Sequence, residues 1–326
     1  MKKLVSIIIL NYNKYQYSLN CVKSLKDQTY RNFEVILIDN DSELDNYMKL
    51  KTEIKKLDPS FNLKLIRNEH NLYFGGGSNR GIKSSNGAYL CLLNNDVIVE
   101  SDFIEKMVAF LEDHPEAAFI TPKIKIYRNK SLIWNAGAYI NYKTTIIVKN
   151  RGYRELDKDD IKYSEIEEIG FAPGTAVFFR RDIIEEIGLI DEIFFMYHED
   201  PDWSLRALKK GYKTYYVPTA KVYHDVPIDM NKRRSLFNYF FFKRNSQILV
   251  WKHANLCQFL VFYYLFIYTN FIELVWHTLK RHRKKFYILL NAILRGLTIG
   301  YRRRTHRNSK KQMISDYYYA KRIQRL

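Results

Sequence analysis

Cysteine is scarce in this chain of 326 residues: Cys21, Cys91 and Cys257 are odd in number and far apart. That spacing excludes a disulfide framework and a cysteine-based zinc site, and it fits a reducing compartment. Acidic residues are nearly missing from the last 96 positions, where Glu273 and Asp316 stand against 21 Lys and Arg. The first 230 positions carry 32 Lys and Arg and 33 Asp and Glu, so the formal net charge of +18 belongs to the C-terminal region. Such asymmetry points to an acidic partner there, either nucleic acid or an anionic membrane surface. No internal repeat and no low-complexity linker is seen. A secretory leader is not expected either. The apolar stretch Leu4–Leu10 spans only 7 residues, includes Ser6, and runs into Asn11-Tyr12-Asn13 with no small-x-small cleavage site. It reads as a first buried strand.

What is present is ample material for a core, since 47% of residues are hydrophobic and 15% aromatic, which argues against disorder. Short apolar runs at Leu4–Leu10, Phe33–Asp39, Leu63–Arg67 and Tyr89–Leu93 alternate with amphipathic stretches near 14–28, 43–57 and 77–86. Continuously apolar strands separated by helices predict a parallel sheet covered on both faces, with ligands beyond the carboxyl ends of the strands. Those ends read Asn11-Tyr12-Asn13, Asp39-Asn40-Asp41, Arg67-Asn68 and Asn94-Asn95-Asp96, all polar groups suited to a sugar, base or phosphate. From 120 to 230 the alternation loosens. Lys123–Tyr127, Ile133–Ile140, Thr144–Val148, Thr175–Phe179 and Thr214–Val217 suggest an antiparallel extension. A boundary near 230 divides a catalytic domain, 1–230, from a basic, aromatic, helical extension, 231–326.

Four segments carry candidate chemistry. Phe195-Met196-Tyr197-His198-Glu199-Asp200-Pro201-Asp202-Trp203 packs three carboxylates into four positions. Like charges so close raise at least one pKa when partly buried, and such a carboxylate can take a proton from a sugar hydroxyl. The same residues also suit a helix start, with Asp200 as N-cap, Pro201 first in the helix and Gly211 ending it. Asp96, where an apolar strand runs out, is a hard-oxygen site for Mg2+ or Mn2+ completed by a diphosphate, or else an Asx turn. Gly75-Gly76-Gly77-Ser78-Asn79-Arg80-Gly81 opens a helix and allows close backbone approach to an anion, but it fits neither the dinucleotide pattern nor a P-loop. A flexible loop is its default reading. His224, 24 residues after Asp200, is either a hydrogen-bonded structural residue or the second protein ligand of that cation.

Taken in order, Val5–Asn13, Val35–Asp41, Asn71–Gly81, Leu92–Val97 and Tyr197–Arg206 resemble family-2 glycosyltransferases of GT-A fold, and among them bacterial rhamnosyltransferase-like members, over residues 3–225. The resemblance implies an inverting transfer from a nucleotide-diphosphate sugar. It implies that Asn11 and Asn13 lie near the nucleotide, that Asp39 bonds a pyrimidine base, and that Asn79, with Gly76, Gly77 and Asn94, approaches the donor. Asp96 would be the metal ligand ending an Asp-x-Asp-like motif, and His224 would complete the site. Asp200, flanked by Glu199 and Asp202, takes the general-base position. Asn94 departs from the family's first acid, and Pro201 and Trp203 from its usual aliphatics. Trp134, Gly174 and Trp203 are candidate acceptor-pocket residues.

In the C-terminal region, His253–Ile272 is a 20-residue run without charge, long enough to span a bilayer but rich in Tyr and Phe and interrupted by Asn255, Gln258, Thr269 and Asn270. Phe286–Tyr301 is shorter and contains Arg295, and basic clusters Lys280–Lys285 and Arg302–Arg304 flank the runs. Peripheral attachment to anionic lipid is the expectation, ahead of a homodimerising helical extension and of a true span. The leading function is transfer to a glycan or lipid-linked acceptor in cell-surface polysaccharide synthesis, in the cytoplasm at the inner face of a bacterial membrane. A sugar nucleotidyltransferase is disfavoured because no glycine-rich loop follows the first strand. A nucleic-acid-binding protein is disfavoured because no such motif is found.

Overall fold

The computed structural model describes residues 2–57, 60–144, 148–226 and 235–304, with Tyr319 and Ile323. They form two compact units. The first takes in the described residues of 1–139, 150–192 and 203–228, and the second those of 140–149, 193–202 and 229–326.

In the first unit β1 (Val5–Asn11), α1 (Tyr15–Ser24), β2 (Phe33–Asp39), α2 (Leu44–Leu57), β3 (Asn62–Arg67), α3 (Tyr73–Lys83) and β4 (Tyr89–Asn94) alternate as the apolar runs predict. β1 pairs in parallel with β2 and with β4, and β2 with β3. Parallel neighbours require crossovers, which the helices provide. Alternate side chains then feed two cores. Ile7, Ile9, Val35, Leu37 and Leu93 pack with Leu19 and Val22 of α1 and Leu50 of α2. Ile8, Ile36, Ile38, Leu90 and Leu92 pack with Ile82 of α3 on the opposite face. Strands buried on both faces have no reason to alternate in polarity, and β1, β2 and β4 do not, whereas the edge strand β3 is partly exposed and alternates over Asn62–Leu65.

The chain continues through β5 (Val97–Val99), α4 (Phe103–Asp113), β6 (Ala117–Ile126), β7 (Asn129–Asn135), β8 (Ala138–Ile140), β9 (Val148–Asn150), β10 (Glu167–Glu168), β11 (Ala176–Arg180), α5 (Asp182–Ile187), a 3-10 turn (Glu192–Phe194), α6 (Glu199–Leu208) and β12 (Lys213–His224). The sheet order is β10-β12-β6-β11-β4-β1-β2-β3. β11 lies antiparallel between β4 and β6, while β12 runs parallel to β6. The mostly parallel, doubly covered α/β sheet read from the sequence is therefore present, with its antiparallel members in the later part. The run Ile133–Ile140 is not one strand. It breaks at Gly137 (φ 101°), whose N–H donates to Asn135 Oδ1 (2.8 Å). Residues 145–147 of the expected Thr144–Val148 strand lie outside the described residues.

The second unit is largely helical: α7 (Leu236–His253), α8 (Leu256–Leu279) and α9 (Arg283–Arg304). Ser235 caps α7 by accepting from Asn238 N–H (3.2 Å). A Cβ on Gly296 would sit 2.3 Å from Gln247 Nε2, and one on Gly300 2.1 Å from Trp251 Cδ1. Two glycines on one face of α9 thus let it lie close against α7. Asn255 and Gln258, polar interruptions of the apolar run, form the capping box that starts α8. The inner stripe of α8 holds buried Phe262, Phe266, Asn270 and His277. Glu273 on the same side accepts from Tyr239 Oη (2.6 Å) and pairs with Lys243 (2.9 Å). The outward residues Leu260, Tyr264, Ile267, Phe271 and Leu279 are 59–76% exposed. This helix buries Asn270 and His277, and partly Glu273, on the same side as Phe262 and Phe266 and leaves a broad apolar face outward.

Candidate active site

The ends of β1 and β2 are tied by one buried polar network. Asn11 Nδ2 donates to Asp39 Oδ1 (2.8 Å) and Ser42 Oγ (3.0 Å), and Asn11 Oδ1 accepts from Ser18 Oγ (2.8 Å). Asp39 Oδ2 accepts from Ser42 N–H (3.2 Å) and lies 3.6 Å from Arg67 Nε. Asn13, at φ 53°, receives Glu43 N–H on its side-chain oxygen (2.7 Å). Asn tolerates the left-handed region better than most residues, which suits it to this turn. Asp39 is wholly buried, so in this state it organises the loop rather than presenting a free carboxylate.

Asp96 and His224, 128 residues apart, meet with Asp96 Oδ1 3.0 Å from His224 Nε2. Strand pairing brings this about. β5 is antiparallel to β12 with His224 opposite Val97, the residue after Asp96, and Asp225 N–H donates to Asp96 O (2.7 Å). Burial alone would raise the Asp96 pKa, but the hydrogen bond and charge of His224, with Lys14, outweigh it and hold the carboxyl below its usual value. Trp134 stands edge-on to the imidazole, centroids 4.6 Å apart. A carboxylate oxygen and an imidazole nitrogen that converge in this way are a fitting pair of ligands for Mg2+ or Mn2+. Among the described residues no three His, Cys, Asp or Glu side chains are placed to hold a metal ion together, so the rest of such a shell would come from diphosphate, water or other oxygen groups. Asn94, at the end of β4, donates its N–H to Thr175 O (2.9 Å).

The glycines of the third segment lie inside α3, which begins four residues before the expected start. They serve close packing. A Cβ on Gly75 would press Ile190, on Gly76 would lie 2.9 Å from Leu72 Cβ, and on Gly77 would lie 3.2 Å from Asn40 and Leu10. The flexible-loop reading is thereby corrected. Asn79 is engaged, donating to Ile190 O and Glu192 Oε1 (both 2.9 Å) and accepting from Ile190 N–H (3.1 Å). Gly174 faces the Phe74 ring, which a Cβ would meet at 2.7 Å. Trp203 is 3% exposed, packed between Phe119 and Phe179, with its indole N–H on Gly188 O (2.9 Å). It is a core side chain of the first unit and not the pocket wall the sequence suggested.

The acid cluster belongs to the second unit. α6 starts at Glu199, with Asp202 N–H donating to His198 O (3.1 Å), so Asp200 lies inside the helix instead of capping it. The three acids are not equivalent. Asp202 is fully buried and its Oδ1 lies 2.6 Å from Lys252 Nζ and 2.7 Å from His253 Nε2. Glu199 is 7% exposed, and its Oε2 has no hydrogen-bond partner among the described residues. Burial, with the charges of Asp200 and Asp202, pushes the Glu199 pKa well above the usual range. Asp200 is half-buried. The Tyr142 hydroxyl, also buried, is pushed up to about 12 by burial and by Asp202.

The approach to α6 is strained. Phe195 (φ 59°), Tyr197 (φ 64°) and His198 (φ 72°) all occupy the left-handed region, costing about 1–3 kcal/mol each. Buried groups of α7 hold them. Asn245 Nδ2 reaches Phe194 O (2.7 Å), Met196 O and Tyr197 O (both 2.8 Å), Arg244 donates to Ile193 O (2.9 Å), and Ser246 Oγ lies 3.2 Å from His198 Nε2. Sequence reasoning passed over these residues. Their signal was the polar run Lys243-Arg244-Asn245-Ser246-Gln247 between Phe240-Phe241-Phe242 and Ile248-Leu249-Val250.

An uncharacterized glycosyltransferase of Haemophilus influenzae is 36% identical over 149 residues, 45% of this chain and 44% of that protein. The match thus spans less than half of that relative's length. The dTDP-rhamnosyl transferase RfbF of Shigella flexneri is 25% identical over 231 residues, 69% of this chain and 70% of that protein. A crystal structure of GalNAc-T7 with UDP, GalNAc and Mn2+ shares the fold at TM-score 0.59 and 19% identity, over 75% of this chain and 51% of that one. The sheet is GT-A-like, and because residues 6–188 match Glycosyl transferase family 2, the chain belongs to that family.

Proposed function

We propose that this chain moves a sugar from a UDP- or dTDP-linked donor to a hydroxyl of a glycan or lipid-linked acceptor, with inversion, in cell-surface polysaccharide synthesis. The observation that carries the reading is the meeting of Asp96 with His224 at 3.0 Å in a family-2 chain. Mg2+ or Mn2+ held by these two would, when bound, neutralise charge on the leaving diphosphate. Asn11, Asn13 and Asp39 shape the nucleotide side, where Asp39 acts through Asn11 and Ser42. Asp200 accepts the proton of the attacking hydroxyl. Support comes from its neighbours. Burial pushes the Glu199 pKa up and Asp202 is compensated by Lys252 and His253, so both neighbours place less uncompensated negative charge beside Asp200.

The test begins with a donor screen by thermal shift with Mn2+, using dTDP-rhamnose, UDP-glucose, UDP-galactose, UDP-galactofuranose and N-acetylated UDP-sugars, since a bound donor raises Tm by mass action. With the donor found, Asp200→Asn should lower single-turnover transfer by ~10²–10⁴-fold with little change in stability. Full activity in that variant removes the base assignment.

The same reading puts the enzyme in the cytoplasm, on the inner face of a bacterial membrane. Among the described residues α8 is the one helix long and apolar enough to cross a bilayer. Its inward Glu273–Lys243 pair and its outward apolar face beside Lys280–Lys285 favour lying on anionic lipid instead. Flotation with phosphatidylglycerol vesicles but not with neutral ones, and release by high salt, is expected. Resistance to high salt and alkaline extraction would indicate a span, and a stable lipid-free dimer would indicate self-association through α8.

A further inference from the structure

We propose that Arg244 and Asn245 of α7 are positioning residues for the proton-accepting carboxylate, making this C-terminal helix part of the catalytic apparatus. The inference rests on the assignment of Asp200 as base. Asp200 is the second residue of α6, so its position is inherited from the segment that delivers the chain into that helix. Residues 195–198 have no strand or helix ladder, and three of these four non-glycine residues are at positive φ. Such a segment keeps one conformation only if other groups over-determine it. The clamp on it is backbone-directed. The two amide protons of Asn245 serve three carbonyl oxygens, those of residues 194, 196 and 197, so at least one proton is shared. Arg244, fully buried, donates both to Ile193 O and to Asn245 Oδ1, which fixes which way the amide faces. Its guanidinium also lies 5.6 Å from the centroids of Phe195 and Phe241. One turn into α6, Lys252 and His253 at the end of α7 hold Asp202. The carboxylate at position 200 is thus bracketed on both sides by contacts from a single helix. Carbonyls accept only donors, so an apolar residue at 245 removes the clamp without altering any acid.

The test compares Asn245→Leu, Asn245→Ser, Arg244→Lys and Asp200→Asn as full chains. Binding of UDP and dTDP with Mn2+ is measured by calorimetry, and transfer by single turnover at saturating donor, normalised to folded protein. Asn245→Leu should lose ~10²-fold in turnover, the scale of a misplaced reacting group, with nucleotide affinity unchanged. Asn245→Ser, which keeps one donor, and Arg244→Lys, which keeps the charge, should retain more. A purely structural role would lower the folded fraction and leave turnover per folded molecule intact. If Asn245→Leu fails to fold, Asn245→Ser is judged by the same criterion. Wild-type turnover per folded molecule in the Asn245 variants, with Asp200→Asn inactive, overturns the positioning role alone. An active Asp200→Asn instead overturns the base assignment, and the positioning proposal with it.

Discussion

Asp202→Asn separates the structural from the chemical use of the acid cluster. The amide keeps volume and geometry but cancels the charge that faces Lys252 at 2.6 Å and His253 at 2.7 Å. Asp202 is fully buried, whereas the Lys252 side chain is 17% exposed and can turn partly toward water. Breaking a buried pair by removing one partner costs about 3–5 kcal/mol, and the escape open to Lys252 puts the expectation near the lower end, ~3 kcal/mol. With a denaturant slope of ~2 kcal/mol/M, the urea midpoint of the second unit should fall by ~1.5 M. Trp251 and Trp276 belong to that unit, so tryptophan fluorescence, with Trp134 and Trp203 changed to Phe to silence the first unit, reports its unfolding. Single-turnover transfer per folded molecule should fall far less than in Asp200→Asn. A loss of stability under ~1 kcal/mol together with a ~10²-fold loss of turnover would refute this partition and make Asp202 the base.

Glu199→Gln should stabilise the protein above pH 4.5, because a carboxyl whose folded pKa is raised binds more protons folded than unfolded. Wild-type stability should therefore decline as pH rises from about 4.5 toward the raised folded value, and this slope should be missing from the variant in urea titrations at several pH values. Asp96→Ala should abolish Mn2+-dependent nucleotide binding, and His224→Ala should weaken it less; calorimetric Mn2+ titrations unchanged in both would return the pair to a structural role. Asp39→Ala strands the buried Asn11 amide and Ser42 N–H, so it should cost about 2–4 kcal/mol in urea unfolding besides weakening nucleotide binding. A stability change under ~1 kcal/mol would mean that the network relaxes without the carboxylate.

β1, β2 and β4 were legible because strands buried on both faces are written as mainly apolar runs, and β3, partly exposed at the sheet edge, by its Leu63, Leu65 and Ile66. The polar strand ends were legible because the apolar run stops there, although Asn11, Asp39, Asn40 and Asn68 are themselves buried and satisfied by hydrogen bonds. Asp96 and His224 could be suspected by residue type, but their meeting depends on the register of β5 with β12, which no local pattern records. The glycines of α3 misled because small size for packing and freedom for a loop look alike in sequence; Ile190, Leu72 and Asn40 decide between them. Asn245 was invisible for a further reason. Its partners are backbone carbonyls about fifty residues upstream, and a carbonyl carries no sequence signature. That at least one of the three acids would have a raised pKa was expected, but which one was not legible until Lys252, His253 and burial distinguished them.

The short pairing of β5 with β12 also predicts where the gene can tolerate change in length. Side chains in a strand alternate faces, so an odd shift of β5 against β12 would carry the His224 imidazole to the opposite side of the sheet. Residues inserted into the connection at 100–102 leave that parity untouched, as would additions in the loop between β8 and β9. A single residue inserted within 97–99 or 222–224 changes it, though every ligand-type side chain is still encoded. An insertion scan across these strands should show sharp intolerance that substitution data at the same positions, all apolar or aromatic apart from the histidine, would not foretell.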